Sequence, residues 1–352
     1  MMLTLIWTTA SFGQFTSGSS GTDGALNVTS DVVINMADHP DGIYHYTSVD
    51  VAAGAMVSFV PNADNTPVVW LVQGDVRIAG IVDVSGQDGA PSTDPPSFAP
   101  GGPGGFTGGW RSALGTSGFG PGGGTNAYGG FNYGNELLQP LVGGSGGSGF
   151  SGGGGSGGGG AIMIAADGTI ELIDSSDMGF EAGGIYSEGG MSIGYFGSPG
   201  AIRLVASEIS GNGVLSGASN RVRMESFVNS YVGSSNAIMT SPRTLFFPNE
   251  LVPTLTVTSL AGQTVPGSAS GLITSPDLSI ASGDPVTVNI SATRVPPGTT
   301  VRVRLIPESG NHIDTDSEPL IGTFTSSTTT ASVTFPAGVS RVELYSTFSP
   351  QE

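Results

Sequence analysis

VVWLVQGDVRIAGIVDVSG, Val68 to Gly86, returns twice in altered form, as AIMIAADGTIELIDSS from Ala161 to Ser176 and as AIRLVASEISGNGVLSG from Ala201 to Gly217. Each copy opens with two apolar residues flanking one spacer: Val69 and Leu71, Ile162 and Ile164, Ile202 and Leu204. Each then resumes with Val76 and Ile78, Ile170 and Leu172, or Ile209. Alternation with period two denotes strands, so these residues read as inward-facing, and Trp70, Met163 and Arg203 as outward-facing. Short strands joined at QGD, ADG and GNG suit a parallel β-helix or related solenoid, in which coils stack about 4.8 Å apart. Matching aliphatic side chains then form an interior ladder, each fully buried Val, Ile or Leu contributing roughly 1.5–3 kcal/mol. LNVTSDVVINM and IYHYTSVDVAAGAMVSFV supply the first coils. An antiparallel sandwich or jelly roll could use the same strands, but the two-residue hairpin signature is confined to Asn212-Gly213.

Between Gly86 and Gly160 side chains nearly vanish. GGPGGFTGGW, GFGPGGGTNAYGGFNYGN and GGSGGSGFSGGGGSGGGG are rich in glycine without a collagen period. Fixing a residue costs roughly 1–2 kcal/mol of backbone entropy, and glycine loses the most. Such a stretch is therefore either disordered or held by backbone hydrogen bonds and close backbone packing.

Beyond Leu251 glycine falls, and Thr, Val and Ser rise. Strands are predicted over 254–260, 277–280, 286–293, 300–307, 320–325, 331–335 and 341–348, with turns at SGDP and VPPGT. Six or seven strands in this length predict an immunoglobulin-like or fibronectin-like sandwich. The whole chain is thus expected to be all-β. Residues 1–13 are read as a signal-peptide remnant, 14–25 as a flexible arm and 26–240 as a solenoid-like domain carrying the glycine insertion 86–160. Residues 241–250 are read as a linker and 251–349 as the sandwich.

AGIVDVSGQDG, GGPGGFTGGW, PLVGGSGGSGFSGGGGSGGGGAIMIAA and GSPGAIRLVASEISGNGVLSG together resemble glycine-rich secreted surface proteins of bacteria. VTVNISATRVPPGTTVRVRLIPESG with TSSTTTASVTFPAG is similar to the module that often follows in such proteins. The resemblance spans most of the chain and implies an architecture and a surface location. It implies no catalytic residues.

The formal charge is −18 with a pI near 4.2, and all ten basic residues are arginine. So few cations exclude nucleic-acid binding as an expected function. The chain has no cysteine, hence no disulfide and no thiol chemistry. MMLTLIW followed by small residues reads as the end of an export signal cleaved before Gln14, the alternative being an apolar first strand.

Candidate sites are sparse. His39 and His45, with Asp38 and Asp41, are zinc-ligand candidates, set against a reading as ordinary turn and strand positions. Arg77, Asp83, Glu171, Asp174, Arg203 and Glu208 are the groups a polysaccharide lyase or hydrolase would use, with Arg77 and Glu171 placed to pair across coils. Their bland reading is solvated ion pairs. Asp314, Asp316 and Glu318 alternate in NHIDTDSEP and are the candidates for a calcium site. Trp110, Tyr128, Phe131 and Tyr133 are the candidates for stacking on sugar rings; the competing reading has the aromatics anchor the glycine loops. The expectation is a non-enzymatic secreted protein that assembles with itself. A carbohydrate-binding adhesin is the first alternative and a polysaccharide-degrading enzyme the second.

Overall fold

The computed structural model describes residues 15–90, 98–111, 115–126, 128–191, 195–218, 220–233, 235–242, 253–267, 269, 275–280 and 283–348. The signal and most of the linker expected from the sequence lie outside these residues. The described part is all-β, with two single turns of 3-10 helix and no α-helix.

The first region contains β1 (Gly24–Val28), β2 (Val32–Asn35), β3 (Ile43–Val51), β4 (Met56–Val60), β5 (Val68–Val72), β6 (Val76–Ile78), β7 (Ile81–Asp83), β8 (Ala161–Leu172), β9 (Gly184–Tyr186), β10 (Ala201–Gly211), β11 (Val214–Ser216), β12 (Val222–Tyr231) and β13 (Ile238–Thr240). One sheet runs β1-β3-β5-β8-β10-β12-β13, with β6 between β3 and β8; the other runs β11-β9-β7-β4-β2. Every pairing in both is parallel. Up to β11 the chain passes back and forth between the sheets, with β5 and β6 together in the first, so each pass adds to both, and one apolar core lies between them.

The repeat stacks in register: Val68, Ile162, Ile202 and Val222 form one rung series, and Tyr44, Trp70, Ile164, Leu204 and Met224 the next. This corrects the phase expected for the first copy. Val68, Trp70 and Val72 enter the core, with Trp70 fully buried, while Val69 and Leu71 belong to a separate cluster on the opposite face. A one-residue slip exchanges the faces of a strand. VVWLV offers no phase of its own because both of its faces are buried. The outer cluster is closed by Phe15 and Leu141. Ser17 fixes the covering segment by donating its hydroxyl to Val72 O at 2.9 Å, and Ser19 donates to Tyr46 O at 2.9 Å. The arm expected to be flexible is therefore laid on the sheet from Phe15 onward. Met163 and Arg203 do face outward, but both are buried.

The last region contains β14 (Thr254–Leu260), β15 (Gln263–Thr264), β16 (Val286–Thr293), β17 (Arg302–Pro307), β18 (Ile313–Asp316), β19 (Ile321–Thr323), β20 (Ser326–Val333) and β21 (Ser340–Tyr345). A five-stranded antiparallel sheet, β15-β14-β16-β20-β19, and a three-stranded one, β18-β17-β21, enclose a second core. Two details differ from expectation. Residues 277–280 pack Leu278 and Ile280 on the core without joining a sheet, and the acidic stretch at 313–316 is a strand. Asp314 and Asp316 are admitted to that strand because each pairs with an arginine opposite it on β17.

Candidate interaction site

The described residues of the glycine stretch are ordered, and their backbone hydrogen bonds reveal their geometry. Along 154–160 the N–H groups of Gly154, Gly157 and Gly160 reach Ala90, Gln87 and Val84. Those of Gly155 and Gly158 reach Gly109 and Phe106, and those of Ser156 and Gly159 reach Tyr195 and Ser198. Each neighbour is met again at every third residue, and no residue of the run has positive φ. Three residues per turn without internal hydrogen bonds is the extended helix of polyproline type. A second ribbon, 143–149, behaves alike: Gly144 and Gly147 donate to Gly159 and Ser156, and Gly146 and Gly149 to Phe119 and Thr116. Both ribbons are buried among strands of loop, so the interior of this region is made of backbone.

Steric contact explains the composition. A Cβ on Gly158 would lie 2.1 Å from Gly144 O, and one on Gly157 would lie 1.9 Å from Pro100 O. Serine is tolerated where its hydroxyl finds a backbone partner: Ser145 Oγ accepts from Gly122 N at 2.9 Å, and Ser156 Oγ accepts from Gly89 N at 3.0 Å. Each of these bonds gives a neighbouring loop N–H a serine oxygen as partner.

Arginines bind the loop that precedes the second ribbon, 133–142, to the end of the first sheet. Arg221 Nη1 donates to Tyr133 O at 2.8 Å, and Arg223 Nη1 to Glu136 O at 3.3 Å. Beneath them Glu225 Oε1 receives Arg203 Nη2 at 3.0 Å and Arg223 Nε at 2.7 Å, with all three side chains nearly inaccessible.

At its far end the glycine region docks on the outer face of β18-β17-β21. Phe119 and Trp110 pack against the fully buried Ile306, and the Arg341 guanidinium lies 4.9 Å from the centre of the Phe119 ring. Arg304 Nη1 donates to Gly120 O at 3.0 Å and Pro121 O at 2.9 Å, while Nε and Nη2 hold Asp314 at 2.7 and 2.8 Å. Gly120 N donates to Glu343 Oε2 at 3.2 Å. Gly310 N donates to Gly115 O at 2.9 Å, and His312 N to Ser117 Oγ at 2.9 Å. Burial, then Arg304, hold the His312 imidazole below its usual pKa. Burial alone would raise the Asp314 carboxyl, but its bonds to Arg304 outweigh this and keep it low.

The sugar-stacking candidates separate into two pairs. Trp110 is buried in the dock. Tyr133 is held inside, its hydroxyl donating to Gly143 O at 2.5 Å and its ring under Arg221; burial pushes its pKa up. Tyr128 and Phe131 remain 63% and 57% exposed, enough for a ligand to reach both rings. Their segment is tied by Gly130 N to Phe196 O at 2.8 Å and by Phe131 N to Gly122 O at 2.7 Å.

The acids are scattered. Arg77 sits 3.0 Å from Asp50 and 3.9 Å from Glu171, the cross-coil pair expected from the repeat. Asp83 belongs to the other sheet, Arg203 is committed to Glu225, and Glu208 stands on β10 opposite Thr169. Asp174, at the turn after β8, has its pKa lowered by the Ser176 backbone N–H. Asp316 is engaged by Arg302 at 2.9 Å and Asp314 by Arg304, whereas the Glu318 side chain is exposed outside β18. His39 approaches Asp23 at 3.5 Å, and His45 Nδ1 accepts from Ser20 N at 3.1 Å. Among the described residues no group of three His, Asp or Glu side chains converges as metal ligands would. Sequence reasoning missed Arg304, His312, Arg341 and Glu343; the signal was present in TVRVRLI, where arginines occupy alternate positions of a strand. No family model, no curated protein and no solved structure matches the chain.

Proposed function

We propose that this chain is a non-enzymatic structural protein of the bacterial cell exterior that assembles with copies of itself. On this reading the first region is a parallel β-helix, the glycine ribbons are a rigid spacer grown from one of its coils, and the last region is an immunoglobulin-like sandwich mounted on the spacer. The alternation of successive strands between two parallel sheets supports the first assignment, and the pairing of β14 with β16, β16 with β20 and β17 with β21 supports the last. The resemblance to glycine-rich surface proteins and the N-terminal export pattern support the location.

The observation that carries the reading is that, among the described residues, no further strand pairs with either end of the two parallel sheets. β1 and β2 end them on one side, and β13 and β11 on the other. Unpaired strand backbone is a template for another chain. Apolar residues accompany it: Val33 on β2 is 63% exposed, and Val232 just after β12 is 81% exposed. Ends of opposite sense join head to tail and give an open filament unless rotation closes a ring. Electron microscopy and light scattering of native protein should show elongated particles growing with concentration. Val33→Lys should shorten them without lowering the unfolding midpoint. Monodisperse monomer over a wide concentration range would refute the reading.

A second reading rests on Tyr128 and Phe131. Two exposed rings on a backbone-braced segment offer an apolar face to a neutral polysaccharide, so the same surface protein would also be an adhesin.

A further inference from the structure

We infer that the outer face of β18-β17-β21 is a receptor for a glycine-rich bend bearing one aromatic ring, and that in the assembled material a second copy of this chain supplies that bend. The inference deepens the assembly reading above and rests on it for the identity of the donor.

The recognition chemistry is visible where the chain's own ribbon occupies the face. The docked segment, 115–121, bends through left-handed glycines at 115 and 120 and turns the Gly115, Gly120 and Pro121 carbonyls and the Gly120 N–H toward the face. The face answers them one by one. Arg304 grips Gly120 O and Pro121 O, Glu343 takes Gly120 N–H, and Gly310 N–H meets Gly115 O. Asp314 fixes the Arg304 fork from behind with two bonds, so that its remaining nitrogen is aimed before the ribbon arrives. Phe119 enters between Ile306 and Arg341 and gives the contact its apolar anchor. Glycine is demanded on the ribbon side: Gly120 has φ +95, and a Cβ there would meet the Phe106 ring and Ser145 Oγ at 2.7 Å.

None of these contacts depends on the covalent path between the partners. Arg304 lies 184 residues from Gly120 in sequence, and His312 lies 195 from Ser117. A face and a ribbon so far apart along the chain form the same surface whether they belong to one molecule or two. Exchange of identical elements is a low-cost route to association. Each receiving molecule releases its own ribbon to the next, so exchange continues the assembly instead of ending it.

The test uses full-length chains and a synthetic probe, GTSGFGPGGG, the sequence of residues 115–124. Phe119→Asp replaces the apolar anchor on buried Ile306 by a carboxylate, whose desolvation should expel the chain's own ribbon and leave the face open. The probe, labelled for fluorescence anisotropy, should bind this variant saturably. It should bind wild type at least about tenfold more weakly, because the tethered ribbon competes at an effective concentration near the millimolar range. Adding Arg304→Ala to Phe119→Asp should abolish binding, and so should replacing the probe's phenylalanine by alanine. Phe119→Ala, checked for wild-type circular dichroism, repeats the measurement if the aspartate variant unfolds. Mixing Phe119→Asp with Arg304→Ala chains should give a one-to-one complex on gel filtration that neither forms alone. Absence of saturable binding to both position-119 variants, binding that survives Arg304→Ala, or failure of the mixed chains to associate would each overturn the inference. Filament growth blocked by Val33→Lys is read separately, so the end-to-end reading can stand if this one fails.

Discussion

Gly158→Ala tests whether the glycine ribbons are held by contact between backbones. The added methyl carbon would stand 2.1 Å from Gly144 O, 2.3 Å from its carbonyl carbon and 2.8 Å from Ser145 N. Ordinary contact begins at 3.4 Å, and none of these atoms is the end of a movable side chain. One ribbon must retreat from the other by about an ångström. Forcing a methyl into a filled interior typically costs about 1–3 kcal/mol. The retreat also stretches Gly144 N–H···O Gly159, now 2.6 Å, and Gly158 N–H···O Phe106, now 2.8 Å. A buried bond left unmade costs about 1–3 kcal/mol, so the whole change should be about 2–6 kcal/mol. That is a large share of the roughly 5–15 kcal/mol that stabilises a folded protein. Urea unfolding followed by tryptophan fluorescence suits the measurement, because Trp110 sits in the dock and Trp70 in the core between the parallel sheets. Gly267→Ala is the control: a Cβ at that position would have nothing within 4 Å, and the variant should stay within about 0.5 kcal/mol of wild type. If Gly158→Ala matches that control, backbone contact does not hold the ribbons and the account of the glycine stretch is wrong.

Three further outcomes are expected. Docked His312 has its pKa below the ordinary 6.5, so the released state binds a proton at higher pH than the docked one. Stability at the dock should therefore be full above that ordinary value and decline as pH falls from it through the lowered pKa, and His312→Gln should remove this decline in pH-resolved thermal unfolding. Asp314, held below its ordinary 3.8, adds a further loss only in more acid solution. Glu225→Ala leaves Arg203 and Arg223 buried without their shared carboxylate and should cost about 3–5 kcal/mol in urea unfolding; a change below about 1 kcal/mol would mean that water reaches the pair. Tyr128→Ala with Phe131→Ala should leave the unfolding midpoint in place and weaken retention on neutral polysaccharide, whereas Trp110→Ala should lower the midpoint; loss of stability in the double variant would make those rings anchors as well.

The period-two pattern marks most strands, 277–280 excepted, because half-buried strands must alternate. Val76, Ile78, Ile170 and Leu172 are assigned to the core by the pattern alone, and they are there. The phase of VVWLV is not legible, since an element buried on both faces carries no polar marker. NHIDTDSEP reads as a ligand-bearing loop because acids are rare within strands, and nothing local reveals that Arg302 and Arg304 stand opposite. The dock is less legible still. Its two halves are separated by most of the chain, and glycine has no side chain through which a pattern could announce a partner.

By itself, then, the sequence settled the all-β class and two kinds of strand-bearing region, and left the glycine stretch between them either disordered or packed through its backbone, because alternation and glycine content are local consequences of which groups can be buried. The tertiary structure decided which face of each strand is inside, which acids are neutralised and which aromatic rings stay in water. Those outcomes depend on contacts between residues remote in the chain, whose energies appear only once the backbone has brought them together.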